Sequence, residues 1–215
     1  MIEWKKMLLI LVAGTSTSAC DLLKDRPVGL GYSAKYICSY VFNSGIDEQV
    51  VIDQFVAPKV KPLPLVWGID VDHDRQQVRV WDVIFGQRFA AQAFYTPGKG
   101  CTLLVDQSRE DVAAIPFTPA AAPQLDPTQP WPYGGGGKPA APVEGVDYPR
   151  VENAVAAAFA EVHAVPVNTT SVLVAYRGQL IAEQYGMGAN VNTPLLGWSM
   201  TKTITGMLAG ILVYQ

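Results

Sequence analysis

Histidine and cysteine are scarce. The chain has two of the first and three of the second in 215 residues, and none stands at metal-ligand spacing. No metal or cofactor is expected. Charge is thin as well: Asp, Glu, Lys and Arg make up 16% of the chain and the net charge is −3. Basic residues occur singly or in pairs, so nucleic acid is not an expected partner. The uncharged stretch Thr203–Gln215 falls short of the ~20 apolar residues a membrane span needs. Asp70-Val71-Asp72-His73-Asp74 opens like a calcium loop, but Arg75 stands where such a loop needs glycine and Trp81 where it needs glutamate. A solvated turn between strands is the expectation there. What the chain does have is apolar content, 49% of residues, which predicts a packed core rather than disorder. The length suits one medium domain or two small ones.

One stretch carries chemistry. Ser199 and Lys202 stand three apart at the head of the apolar run that ends at Gln215. On a helix that spacing puts them on one face, with the ammonium beside the hydroxyl. A serine hydroxyl is a weak nucleophile until a neighbouring base takes its proton. A lysine serves as that base when an apolar setting disfavours its charge. Trp198, Met200, Ile204 and Met207 are the expected setting, and the helix is predicted to be buried. Ser-x-x-Lys also arises by chance, and an exposed N-cap serine followed by a lysine gives the same spacing. A lysine in a first turn, however, opposes the helix dipole.

Upstream, Met1–Cys20 reads as an export signal: Lys5 and Lys6, an apolar run from Met7 to Ala13, then small residues. Thr17-Ser18-Ala19-Cys20 resembles a bacterial lipoprotein box, with threonine where leucine is usual. The protein is therefore expected to be exported, periplasmic or anchored to the membrane through Cys20. Residues 21–112 read as β-rich, with strands over Gln77–Val83, Arg88–Tyr95 and Cys101–Val105. Ile37–Phe42 and Val50–Ala57 fit a strand or the end of a helix equally. In an exported domain this size two cysteines are more often bonded than free, which predicts a Cys38–Cys101 disulfide. Residues 113–148 have the Pro, Ala and Gly content of a linker, extended at the prolines and flexible at Gly134–Gly137. Trp131 and Tyr133 suggest that it lies along a domain surface. From residue 149 to Val162 the apolar positions 151, 155, 158, 159 and 162 make a helix face, ended by His163. Ser171–Tyr176 and Gln179–Tyr185 then form a hairpin about Arg177-Gly178, with Tyr176 and Tyr185 as strand core residues.

Helix, hairpin, loop, then Gly-Trp-Ser-Met-Thr-Lys opening an apolar helix resembles the serine β-lactamase and penicillin-recognising hydrolase superfamily. The likeness is greatest to its class C-like branch of esterases and 6-aminohexanoate-dimer hydrolases. It rests on Val172–Gly178, Leu180–Tyr185 and Leu195–Leu212. Cys38, Gly100-Cys101-Thr102-Leu103 and Pro130-Trp131-Pro132 resemble the N-terminal extension of some exported members. The resemblance implies an α+β protein: a β-rich extension, then the opening helix, hairpin and catalytic helix of a transpeptidase-like domain over residues 149–215. It implies that Ser199 attacks the carbonyl of a small-molecule ester or amide and that Lys202 receives its proton. The family's two further motifs, Tyr-x-Asn or Ser-x-Asn and Lys-Thr-Gly or His-x-Gly, do not occur in this sequence. A helix reaching Leu212-Val213-Tyr214-Gln215 without a cap signal reads as cut, so a fragment with little or no activity of its own is expected. The competing expectation is an exported binding or structural protein without catalysis.

Overall fold

The computed structural model describes residues 24–118, 121, 124–139, 141–160 and 166–215. The signal and lipidation expectations on Met1–Cys20, and the helix end at His163, lie outside the described residues. Among the described residues the chain is α+β, with two antiparallel sheets and several helices. Helix α1 covers 24–38 and widens into a π-helical turn at Ser39–Asn43. A short α2, Glu48–Val50, is capped by the Asp47 side chain and runs on through helical turns to Lys59.

The stretch before the sheet is thus helical, not β, and both undecided segments resolve as helix. Leu30, Ala34, Ile37 and Cys38 recur at helical spacing and are fully buried. Two glycines weaken that signal, since each costs about 1 kcal/mol against alanine in a helix. Both have a packing reason: a Cβ on Gly29 would press on Leu63 at 3.2 Å, and one on Gly31 on Leu103 at 3.2 Å.

Strands β1 Trp67–Asp72, β2 Gln77–Asp82, β3 Gly86–Thr96 and β4 Gly100–Leu103 form an antiparallel meander in that order. β2, β3 and β4 lie where the sequence places strands. β1 takes in Asp70 and Asp72, which reads differently from the expected turn; the turn follows at 73–76. There Asp72 accepts a hydrogen bond from the Arg75 amide at 2.9 Å. Val78 and Val80 of β2 and Ala93 of β3 face α1 and complete the core with Val51, Val56 and Leu63. The Cys38–Cys101 disulfide ties the end of α1 to β4, as the cysteine count predicts, closing a separation of 63 residues. At its other end Arg26 forms an ion pair with Asp82, whose side chain is wholly buried. On the opposite face of β3 Arg109 of α3 (Arg109–Ala114) lies over the Phe94 ring at 4.9 Å.

The Pro/Ala/Gly-rich stretch differs from expectation at its glycines. They do not form a loose tether: the Gly135 amide donates to Asp126 O at 2.9 Å, Gly136 to Gln129 O at 2.8 Å and Trp131 to Gly137 O at 2.9 Å. The loop closes this tightly because Gly134 is buried with no room for a side chain: a Cβ there would collide with the Asp126 carbonyl. Tyr133 stands exposed rather than lying against a surface. Gly134→Ala is expected to spring the 126–137 loop, and limited proteolysis of that segment should speed up several-fold; an unchanged cleavage pattern would show that the loop does not depend on the close approach.

Helix α4, Tyr148–Phe159, is capped by Asp147 and buries Val155. It packs against β6 of the second sheet, β5 Ser171–Tyr176 with β6 Gln179–Tyr185, where Leu180, Ile181 and Ala182 are buried. The predicted turn is present: Arg177 has φ 49° and Gly178 φ 76°, the two left-handed residues a tight hairpin needs to match strand twist.

Candidate active site

The hairpin delivers the chain to the Ser199 turn through a loop pinned at both ends of its path. After β6 the Ala189 amide donates to Gly186 O at 3.0 Å, and Asn190 and Thr193 bond each other across a tight turn. The Pro194 carbonyl then accepts from the Ser44 hydroxyl at 2.5 Å, a link between segments 150 residues apart. Asn168 Nδ2 donates to Gln54 O at 2.8 Å. These contacts hold the second sheet and its following loop against the helical N-terminal part.

Trp198–Met200 is a single 3-10 turn that leads into α5, Thr201–Tyr214. Trp198 sits at φ 46°. A left-handed backbone at a bulky residue is rare, and it costs roughly 1–2 kcal/mol. The turn is closed by Met200 N to Gly197 O at 2.9 Å and by the Thr201 hydroxyl to Trp198 O at 2.7 Å. Directly after the strained residue, Ser199 Oγ accepts a hydrogen bond from Lys202 Nζ at 2.8 Å. The structure thus brings the two sequence-predicted site residues together. Their surroundings differ from expectation. Helix α5 is not buried: none of its residues is, and its large apolar side chains are 54–95% exposed from Ile211 to Tyr214. Trp198, Met200, Ile204 and Met207 are also exposed, so they make no dry pocket round the lysine. The physical reason is that α5 touches little besides its own 3-10 turn.

Sequence reading missed what braces the turn. Tyr32, Tyr36 and Tyr40 are spaced four apart along α1 and its π turn and form a row, with ring centroids 4.1 Å and then 6.5 Å apart. The Trp198 indole stacks on Tyr36, centroids 4.9 Å apart and planes 10° off parallel. A pair of this geometry contributes ~0.5–1.5 kcal/mol beyond its buried area. Burial pushes the Tyr40 phenol up, and a hydrogen bond from the Trp198 side chain draws it part of the way back. Burial, and then the neighbouring phenols, push Tyr32 up too. Phe55 closes on Tyr40 at 5.0 Å. Between these rings and Thr170 a cleft of about 540 Å³ opens, with Gln54 and Lys59 on its rim. The i, i+4, i+8 tyrosines were the available signal. A second cavity of about 570 Å³, lined by Val28, Leu63, Leu65 and Val66 with Lys59 and Lys61, lies away from Ser199.

The strand-end tyrosines separate. Tyr176 is exposed at the hairpin tip under the Arg177 guanidinium rather than in a core. The Tyr185 hydroxyl donates to the Glu183 carboxylate. Desolvation first, and then that bond and the charge of Glu183, raise its pKa to about 12. A raised acid binds its proton more tightly when folded, so this contribution is complete below the ordinary value of 10 and is lost as pH rises through about 12. Glu183→Gln should bring Tyr185 ionisation back toward pH 10, read at 295 nm as the difference from Tyr185→Phe; an unmoved titration would remove the carboxylate as a cause.

Among the described residues no group of three His, Cys, Asp or Glu side chains gathers as a metal site, and no helix is long and apolar enough to cross a membrane. His73 is paired with Glu48 at 3.0 Å. Comparison with protein-family models, curated proteins and solved structures finds no match.

Proposed function

We propose that the chain carries the Ser-Lys nucleophile pair of a serine acyl-hydrolase of the β-lactamase-related type, exported under the direction of Met1–Cys20. The observation that carries this reading is the 2.8 Å contact of Lys202 Nζ with Ser199 Oγ where a 3-10 turn runs into an apolar helix. The substrate class is a small ester or amide. Ser199 Oγ adds to its carbonyl carbon, its proton passes to the Lys202 amine, and the leaving group departs with a proton; water then releases the acyl group. The Ser199 amide, in the 3-10 turn that leads into the helix, is the donor proposed for the oxyanion. The amine takes a proton only when it is itself uncharged, which a dry setting favours. In these residues Lys202 and its apolar neighbours are exposed, and the second and third family motifs are absent from the sequence. Turnover by the 215-residue chain alone is therefore expected to be slight or nil.

The test is fluorophosphonate labelling with the adduct located by mass spectrometry. Slow labelling at Ser199, lost in Ser199→Ala and at least tenfold slower in Lys202→Ala, is the expected result. If Ser199 labels no faster in the wild type than in Lys202→Ala, the pair is not catalytic. The cavity lined by Val28 and Leu65, with Lys59 and Lys61 on its rim, favours a second reading, an exported binding protein without catalysis. Failure of the lysine variant to alter labelling would move the balance to it.

A further inference from the structure

The N-terminal helix does more than fill a core. We infer that Tyr36 of the α1 row, backed by Tyr40, is a positioning residue for the nucleophile: it holds Trp198 in its left-handed conformation and so keeps Ser199 Oγ on Lys202. The catalytic consequence rests on the acyl-hydrolase reading; the clamp itself does not. Three observations converge on one residue. Trp198 has φ 46°, a conformation its own side chain disfavours, and it immediately precedes Ser199. Its ring is stacked on Tyr36 at 4.9 Å with nearly parallel planes. Tyr40, the next ring of the row, stands 6.5 Å from Tyr36 and lines the same cleft as Trp198. A strained backbone persists only where its surroundings over-determine it. Local hydrogen bonds close the turn, but the ring packed on Trp198 comes from more than 150 positions away in sequence, and no residue of α5 is buried against it.

The frame behind the clamp is rigid. Cys38 lies on the helix between Tyr36 and Tyr40 and is bonded to Cys101 of β4. Lys35, one residue before Tyr36, donates to the Cys101 carbonyl and to Ser39 Oγ at 3.3 Å. Ser44, at the end of the same helical run, holds the Pro194 carbonyl four residues before Trp198. The tyrosine row therefore cannot follow the Ser199 turn if it moves; the turn must follow the row.

The experiment is hydrogen exchange by mass spectrometry on the full chain, with fluorophosphonate labelling in parallel. In Tyr36→Ala, amides of 196–202 should exchange about five- to tenfold faster, the loss of one aromatic pair. Peptides from β2, β3 and β6 should be unchanged, which shows that the variant folds. Tyr36→Phe keeps the stack and should restore wild-type exchange, a rescue that general destabilisation would not give. Tyr40→Ala, which removes the ring behind Tyr36, should have a smaller effect of the same sign. The labelling rate of Ser199 should follow the same order across the set. Unchanged exchange over 196–202 in Tyr36→Ala, with the sheets intact, overturns the clamp whatever Ser199 does. Faster exchange without any labelling of Ser199 in the wild type leaves the clamp standing and removes the acyl-hydrolase reading instead. Faster exchange with labelling unaltered would overturn the positioning role.

Discussion

Replacing Cys38 and Cys101 together by serine should cost about 4 kcal/mol of stability, the loop-entropy value for a cross-link spanning 63 residues. Urea unfolding of the oxidised protein against the double variant measures it. The expected result is a large drop in the midpoint with a comparatively small change in slope. The estimate follows from the unfolded chain, which the bond confines; burial adds to it, since Cys38 is fully buried and Cys101 nearly so. Two hydroxyls placed there would lose water unless they found partners. Cys38→Ala/Cys101→Ala separates the two effects: the entropic part remains and the polar part goes. A shift below about 1 kcal/mol in the alanine pair would mean that the helix and β4 are held by packing alone. The bond also has a local consequence. It fixes α1 between Tyr36 and Tyr40, so its loss should loosen the Trp198 turn before the sheet melts.

How much of this was legible in the sequence depends on how local the signal is. The hairpin at Arg177-Gly178 was readable because its turn chemistry and its two β-prone runs lie within fifteen residues, and both turn residues indeed have positive φ. β2 was readable from its alternation, with Val78 and Val80 fully buried. β1 was not, because Gly68, Asp70 and Asp72 are poor strand formers. Yet Trp67, Ile69 and Val71 alternate with them, and Gly68 is needed to let the Trp81 ring lie across the strand. α1 was hidden by Gly29 and Gly31, whose purpose appears only when Leu63 and Leu103 are in place. Packing at long range decided both cases, and propensity gave way. The candidate site divides in the same manner. Ser199 and Lys202 meet because a 3-10 turn running straight into α5 puts positions three apart on one side. The stack of Trp198 on Tyr36 joins positions 162 apart, and no window of sequence contains it. The exposure of α5 was also beyond reach, since an apolar helix reads as buried whatever covers it.

Asp82→Ala is the other substitution with a large expected effect, about 3–5 kcal/mol, the range for breaking a buried ion pair on one side. The carboxylate is wholly buried and has three partners in two elements. Arg26 of α1 donates to one oxygen, while the amides of Ile84 and Phe85 donate to the other at 2.8 and 3.1 Å. Alanine would leave a guanidinium, only one-fifth exposed, without its counter-charge and two amides without an acceptor. The Arg26 guanidinium would keep its place over the Phe85 ring, 4.8 Å from the centroid, and that contact alone does not offset the loss. Asp82→Asn keeps an oxygen for the two amides and should recover part of the loss, so the ladder Ala below Asn below Asp separates turn capping from charge pairing. Adding Arg26→Met to Asp82→Ala removes the orphaned charge; the double variant should be more stable than Asp82→Ala alone. Urea unfolding of the wild type, Asp82→Ala, Arg26→Met and the double variant gives the cycle, and a double variant no better than Asp82→Ala would show that the guanidinium is rehydrated and the pair contributes little. The result bears on the site as well as on the fold. Arg26 pins the start of α1 to the β2–β3 turn and Cys38 pins its end to β4. Tyr36 lies between these anchors, so loosening either one should reach Trp198, and the faster exchange of 196–202 should appear in Asp82→Ala at urea concentrations where the β-sheet amides are still protected.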